Sequence, residues 1–269
     1  MKQQIVGLDF SGASDAGRRI WIAETRPARD GIEILSCRPA AELPGGAVGR
    51  APALAALRGY IAGLADAIIG CDFPFSLPRE VIAHATWTEF IADFTHSDAA
   101  AFAAHCRRLS PGHEPKRLTD REAKTPWCAF NIRLYRQSFH GMAEVLRPLA
   151  TDGKAVVLPM QAPAPNLPWL IETCPASALR HFGWRGSYKG PGLSDQRRKI
   201  LSKLTAARLL RPLPASIAKR VIADSGGDAL DSVIAALATA AALGDIGAGD
   251  GGGDPLEGRV YFRLRQTSP

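Results

Sequence analysis

Three short apolar runs in this chain each deliver an acidic residue at their end. Ile5-Val6-Gly7-Leu8 leads to Asp9, Ala67-Ile68-Ile69-Gly70-Cys71 to Asp72, and Trp169-Leu170-Ile171 to Glu172. Runs of this length and β-branched content, stopped by Ser11-Gly12, Pro74 and Pro175, predict buried strands. A carboxylate carried into such surroundings must be paired, protonated, hydrogen-bonded or bound to a metal. In open sheets the functional crevice lies outside the carboxyl ends of the strands. If the three strands are neighbours, their acids converge at one edge.

The rest of the chain supplies partners for such a sheet. Arg19 to Thr25 and Ile32 to Cys37, separated by the turn signal Asp30-Gly31, predict two strands that form an antiparallel meander with residues 4–10. Pro52 to Asp66 has helical spacing in Leu54, Leu57, Ile61 and Leu64. Residues 79–149 read as irregular helices interrupted by a loop at 110–115, and Lys154 to Leu158 as a short strand. Two basic helices follow Pro175. A late helix, Asp228 to Leu243, carries the stripe Leu230, Val233, Ile234 and Leu237. A Gly/Asp loop over 244–254 leads to a last strand, Arg259 to Leu264. With no internal repeat and no convincing linker, the expectation is an α/β fold in one domain over 1–269, with a helical insertion at about 79–150.

With 46% apolar and 22% charged residues in 269, the chain has ample material for a buried core, and disorder along its whole length is excluded. The longest strongly apolar run, Val233 to Leu243, is too short to cross a bilayer. Asp9 interrupts any signal-peptide core. The five scattered cysteines contain no CxxC and read as reduced thiols, so a cytoplasmic protein is expected.

Net charge is +7, and the excess is local. Residues 176–225 hold eleven Lys/Arg against Asp195 and Asp224, which makes that segment +9. Concentrated positive charge favours an anionic partner such as nucleic acid or a phosphorylated small molecule. It equally suits a solvated helix face, since Leu193, Ile200, Leu201 and Leu204 give Ser194 to Leu210 an amphipathic pattern.

Asp228 and Asp231 open the late helix at i, i+3 spacing, which puts them on adjacent turns of one face. Taken alone, the pair reads as a helix cap with a companion at the positive end of the dipole. Asp9 and Asp72, taken alone, read as turn formers. Taken together, hard oxygen ligands from several strands and one helix are what a Mg²⁺ or Mn²⁺ site needs. Two such ions would clamp the attacking and leaving oxygens of a phosphoryl displacement. Other chemistries lack their signatures: the sequence has no HExxH, no GxSxG elbow and no GxxxxGK[ST] phosphate loop.

The motifs Gly7-Leu8-Asp9, Cys71-Asp72-Phe73-Pro74-Phe75-Ser76-Leu77-Pro78, Glu172-Thr173-Cys174-Pro175-Ala176, Asp228-Ala229-Leu230-Asp231 and Glu257-Gly258 occur in that order. Thr119-Asp120-Arg121-Glu122-Ala123-Lys124, Gln137-Ser138-Phe139-His140-Gly141-Met142 and Tyr188-Lys189-Gly190 before Arg197-Arg198 accompany them. The set resembles the family called domain of unknown function 429, described as predicted nucleases with a ribonuclease H-like fold. The resemblance implies a mixed sheet of three antiparallel strands plus parallel strands, flanked by helices. It also implies a divalent-metal-dependent nuclease with Asp9, Asp72, Glu172, Asp228 and Asp231 as catalytic and metal-binding acids. Lys189, Arg197, Arg198 and Arg121 are the candidate contacts to the phosphates of DNA or RNA. Two other readings stand beside it. One is an actin-like kinase or ATPase using Asp9-Phe10-Ser11-Gly12 and the Val221–Gly227 segment for phosphate. The other is a non-catalytic nucleic-acid-binding protein.

Overall fold

The computed structural model describes residues 2–247 and 252–264. Strand β1 (Gln4–Asp9) is buried on both faces, as its apolar run requires, and lies inside the sheet. It pairs antiparallel with β2 (Trp21–Ala28), which pairs antiparallel with β3 (Gly31–Pro39) across the Asp30-Gly31 turn. A four-residue helix α1 (Ala16–Arg19) precedes β2. On its other side β1 runs parallel to β4 (Ala67–Asp72), reached through helix α2 (Arg50–Ala62). Pro52 falls in the first turn of α2, where its missing N–H costs nothing.

The helical stretch contains α3 (Trp87–Ala92), α4 (Ala99–Leu109), α5 (Leu118–Ala123), α6 (Tyr135–Gly141), a π-helical turn at Met142–Leu146, and α7 (Arg147–Thr151). The chain then returns through β5 (Val156–Val157) to β6 (Trp169–Thr173), parallel to β4. β5 pairs with Trp169 and Leu170. The final strand β7 (Val260–Tyr261) pairs with Glu172 and Thr173. The two short strands thus share one edge of β6, end to end. The order is β3-β2-β1-β4-β6-β5, with β7 also on β6, a mixed sheet flanked by helices as the family resemblance implies.

Where two basic helices were expected there are three: α8 (Pro175–His181), α9 (Ser194–Ala206) and α10 (Ala215–Ala223). The break between the last two comes at Arg208, which adopts a left-handed φ of 55°, and is held open by Pro212 and Pro214.

Strand alternation sorts the core into two layers. Val6, Leu8, Ile69, Cys71 and Leu170 face α2 and the insertion, meeting Leu54, Leu57, Ile61, Trp87, Phe102 and Leu146. Ile5, Ile68 and Ile171 face helix α11 (Asp228–Gly247), with Leu230, Val233, Ile234 and Leu237. Each such side chain withdrawn from water contributes roughly 1.5–3 kcal/mol.

The glycines of β1 and β4 set the depth of α11. A Cβ on Gly7 would lie 2.0 Å from the Ser232 carbonyl oxygen, and one on Gly70 would lie 1.9 Å from Thr239 Oγ1. The small residues of α11 therefore rest directly on strand backbone. That helix runs beyond the predicted end at Leu243, so part of the expected 244–254 loop is helical and residues 248–251 lie outside the described ones. Its Asp228–Ile246 stretch is long and apolar enough to span a membrane, unlike the shorter run read from the sequence. Of that stretch 78% is buried inside the protein, the burial of a core helix.

Candidate active site

Asp9 and Asp72 are register partners at the last residues of β1 and β4. Each stands two positions after a glycine that touches α11, so the pleat turns both carboxylates toward that helix. Asp231 sits in its first turn, its N–H bonded to the Gly227 carbonyl. The result is a triad: one carboxylate oxygen from each of Asp9, Asp72 and Asp231 lies within 4.8 Å of the others. Asp228 is one turn earlier. The capping role open to it falls instead to Asp224, which accepts from Ala229 N at 2.8 Å and Gly226 N at 3.2 Å.

Burial dominates the electrostatics. It pushes the Asp9 carboxyl well above its ordinary range; Lys189 opposes the shift, while Asp231, Asp228 and Asp72 add to it. Asp72 is raised to about 7, chiefly by burial and then by Asp231. Asp228 is raised to about 6, again chiefly by burial. Asp231 is bracketed by two donors: Tyr188 donates its phenolic O–H to Oδ1 at 2.6 Å, and Lys189 Nζ lies 2.5 Å from Oδ2. Asp231 holds the Lys189 ammonium above its usual range. Three acids thus converge beside one ammonium, with Asp228 contributing to their electrostatics. Buried acids pushed upward by desolvation and by one another are hard oxygen donors from which a metal ion can displace protons, so the triad could hold a metal ion.

Glu172 lines the same cavity as Asp72, Lys189 and Asp231, but its oxygens are not among the three that close on one another. It pairs in register with Cys71, one residue short of Asp72, so its side chain leaves the opposite face of the sheet. There it meets Arg117, a fully buried guanidinium whose Nη1 and Nη2 donate to Glu172 Oε2 and Oε1 at 2.7 and 2.5 Å. Phe75 N donates to Oε2 at 2.9 Å. Arg117 also forks onto Asp120, with Nε to Oδ2 at 2.9 Å and Nη2 to Oδ1 at 3.0 Å. Glu257 accepts from Leu118 N and Arg79 N at 2.8 and 2.7 Å. Glu172 therefore ties residues 117–120 and the C-terminal segment to β6, with both of its oxygens engaged by Arg117.

The basic residues also divide. Lys189 reaches the triad. Arg197 is buried on α9, donating from Nε to the Ile222 carbonyl at 2.8 Å and from Nη1 to the Tyr188 carbonyl at 2.7 Å, so it braces the lysine-bearing loop instead of facing solvent. Arg198 is exposed, 3.8 Å from Asp195, and Arg121 is exposed on α5. A cavity of about 180 Å³ opens beside the triad, lined by Asp72, Lys189 and Asp231, by Thr173, and by Trp127 and Gln137 of the insertion. Gln137 Nε2 donates to the Asp72 carbonyl. Thr173 escapes a search for acids, yet strand parity places it: as the residue after Glu172 it falls on the α11 face, level with Asp72. Arg117 has a local partner in Asp120, but its bonds to Glu172 and Glu257 come from distant parts of the chain and carry no such signal.

Fold and site together define an α/β protein with a carboxylate triad built from two adjacent parallel strand ends and a packed helix. The chain belongs to the family described as Protein of unknown function (DUF429), whose family model matches residues 36–250. The match takes in Asp72, Lys189 and Asp231 and begins after Asp9. No curated protein and no solved structure matches the chain.

Proposed function

We propose that this protein has a ribonuclease H-like fold and hydrolyses phosphodiester bonds of nucleic acid with divalent metal ions. The observation that carries the reading is the Asp9, Asp72 and Asp231 triad, with Asp228 beside it and Lys189 as its cation. The strand order, antiparallel across β3-β2-β1 and parallel from β1 onward, supports the fold assignment. Asp9, Asp72 and Asp231 would hold the metal, with Asp228 as a fourth carboxylate able to serve a second ion. Bound Mg²⁺ or Mn²⁺ supplies an activated water and stabilisation of the leaving oxygen. Lys189, half-exposed and fixed by Asp231, presents positive charge where a phosphate would enter. Tyr188 orients Asp231 by its hydrogen bond, and Arg197 keeps that loop in place. The +9 segment supplies long-range attraction for a polyanion. Five free thiols support a cytoplasmic setting.

Two features weigh against the kinase or ATPase reading. A Cβ on Gly12 would lie 2.5 Å from the Arg136 carbonyl oxygen, so that turn is covered by α6 and not open to phosphate. Gly227, at φ 79°, packs its backbone against Tyr188 and Lys189.

The test is calorimetric titration of Mg²⁺ and Mn²⁺ into wild type and an Asp9→Asn/Asp231→Asn variant, with both proteins assayed on labelled DNA and RNA. Metal binding and cleavage that vanish together in the variant are expected. Metal binding without cleavage of any strand would remove the nuclease assignment. Equal metal binding by the two proteins would remove the metal centre itself.

A further inference from the structure

The cavity beside the triad carries both polar and apolar residues. Its lining combines the acids Asp72, Asp120, Glu172 and Asp231 and the cation Lys189 with apolar Phe73, Pro74, Pro126, Trp127 and Leu134. About 180 Å³ holds roughly six waters at about 30 Å³ each, or one planar ring system, and is smaller than the pockets that take drug-sized ligands.

Two details indicate what enters. Thr173 lines the cavity and is only 1% exposed, yet its Oγ1 has no hydrogen-bond partner among the described residues. A buried hydroxyl left this way is costly unless water or a ligand satisfies it. Its methyl group is turned to Gly70, where an added Cβ would meet Thr173 Cγ2 at 2.7 Å. Asp9, Asp72 and Thr173 thereby form a row across the ends of three parallel strands on the α11 face. Trp127, also in the lining, is 37% exposed, with the Arg133 guanidinium 4.7 Å from its ring centroid. The segment carrying Trp127 is pinned, because Thr125 bonds from N to the Asp120 carbonyl at 3.0 Å and from Oγ1 to Asp120 Oδ1 at 3.1 Å. An exposed aromatic on a fixed support, backed by a cation, is a surface for stacking a base. The Cys174 thiol also lines the cavity, but burial pushes it up to about 12, so it remains protonated and is no nucleophile near neutral pH.

We infer that a single unpaired nucleotide seats across the mouth of this cavity, its base against exposed Trp127 and its phosphate beside Lys189 and Thr173. The assignment rests on the nucleic-acid reading above and narrows it to single-stranded or locally opened strands. A base held within a duplex cannot reach Trp127 without leaving its stack.

The experiment is fluorescence anisotropy with labelled oligothymidylate, oligouridylate and a blunt duplex, in Ca²⁺ in place of Mg²⁺, on wild type, Trp127→Ala, Thr173→Val and Thr173→Ser. Single strands are expected to bind at least about tenfold more tightly than duplex. Trp127→Ala and Thr173→Val should each weaken single-strand binding by about tenfold and leave duplex binding unchanged, while Thr173→Ser retains it. Thr173→Val should melt no lower than wild type, because it removes an unsatisfied hydroxyl at constant shape, which separates lost binding from lost folding. Equal affinity for single strand and duplex, or variants that bind like wild type, would overturn the inference. The thymidylate and uridylate arms state whether the site distinguishes DNA from RNA. Equal cleavage of duplex and single strand in Mn²⁺ would sink this assignment and leave the nuclease standing. Trp127-dependent binding of single strands with no cleavage would do the reverse.

Discussion

Replacing Glu172 by Gln separates the two roles open to that residue, ion-pair anchor and metal ligand. Arg117 is 1% exposed and reaches both Glu172 oxygens, at 2.5 and 2.7 Å. Glutamine keeps an acceptor for Phe75 N but loses the charge and one of the two parallel bonds, leaving Arg117 paired only with Asp120. Breaking a buried pair from one side costs about 3–5 kcal/mol, and the near-isosteric change belongs at the lower end, about 3 kcal/mol. In a chain of this size 1 kcal/mol lowers the melting temperature by roughly 2–4 °C, so a drop of about 6–12 °C is expected. Mn²⁺ affinity, measured by titration below the new transition, should stay within a factor of about two. Asp72→Asn should do the opposite, abolishing metal binding with a small change in melting. If Glu172→Gln melts like wild type and loses metal as Asp72→Asn does, the strand-parity argument is wrong and Glu172 belongs to the site.

Three further outcomes follow from the same geometry. Burial raises Asp9, Asp72 (to about 7) and Asp228 (to about 6), so the folded protein retains protons that an unfolded chain releases near pH 4. In chelator, stability measured by urea unfolding should therefore fall as pH rises from about 4 through about 7, and saturating Mn²⁺ should restore it; a metal-free stability that climbs over that window would contradict the burial. Gly7→Ala puts a methyl group 2.0 Å from the Ser232 carbonyl and should cost about 3 kcal/mol or more while weakening Mn²⁺ binding, because α11 must lift and take Asp231 with it; unchanged melting would show that the helix is not seated on β1. Arg197→Ala strips donors from the Tyr188 and Ile222 carbonyls and should cost about 1–3 kcal/mol, against less than about 0.5 kcal/mol for the exposed Arg198→Ala, and equal urea midpoints for the two would refute the division of that pair.

The elements were legible wherever local pattern decides them. The meander around Asp30-Gly31, the apolar runs of β1, β4 and β6 and the stripe of α11 follow from period and turn chemistry, which neighbouring residues fix among themselves. Asp9, Asp72 and Asp231 could be nominated because a charge at the end of a buried strand, or opening an apolar helix, demands a partner wherever the chain goes. Which acids meet was a tertiary matter. Register places Asp72 level with Asp9 and shifts Glu172 by one residue, and one residue in a strand reverses the face. Arg117 lies 55 residues from Glu172, so no local spacing announces their bond. The depth of α11, set by contact with Gly7 and Gly70, brings Asp231 within reach of the strand ends, and the order of the sheet lines Thr173 up beside Asp72. The sequence alone determined that buried acids would need company; the pleat, the register and the helix–sheet distance decided which company each one has.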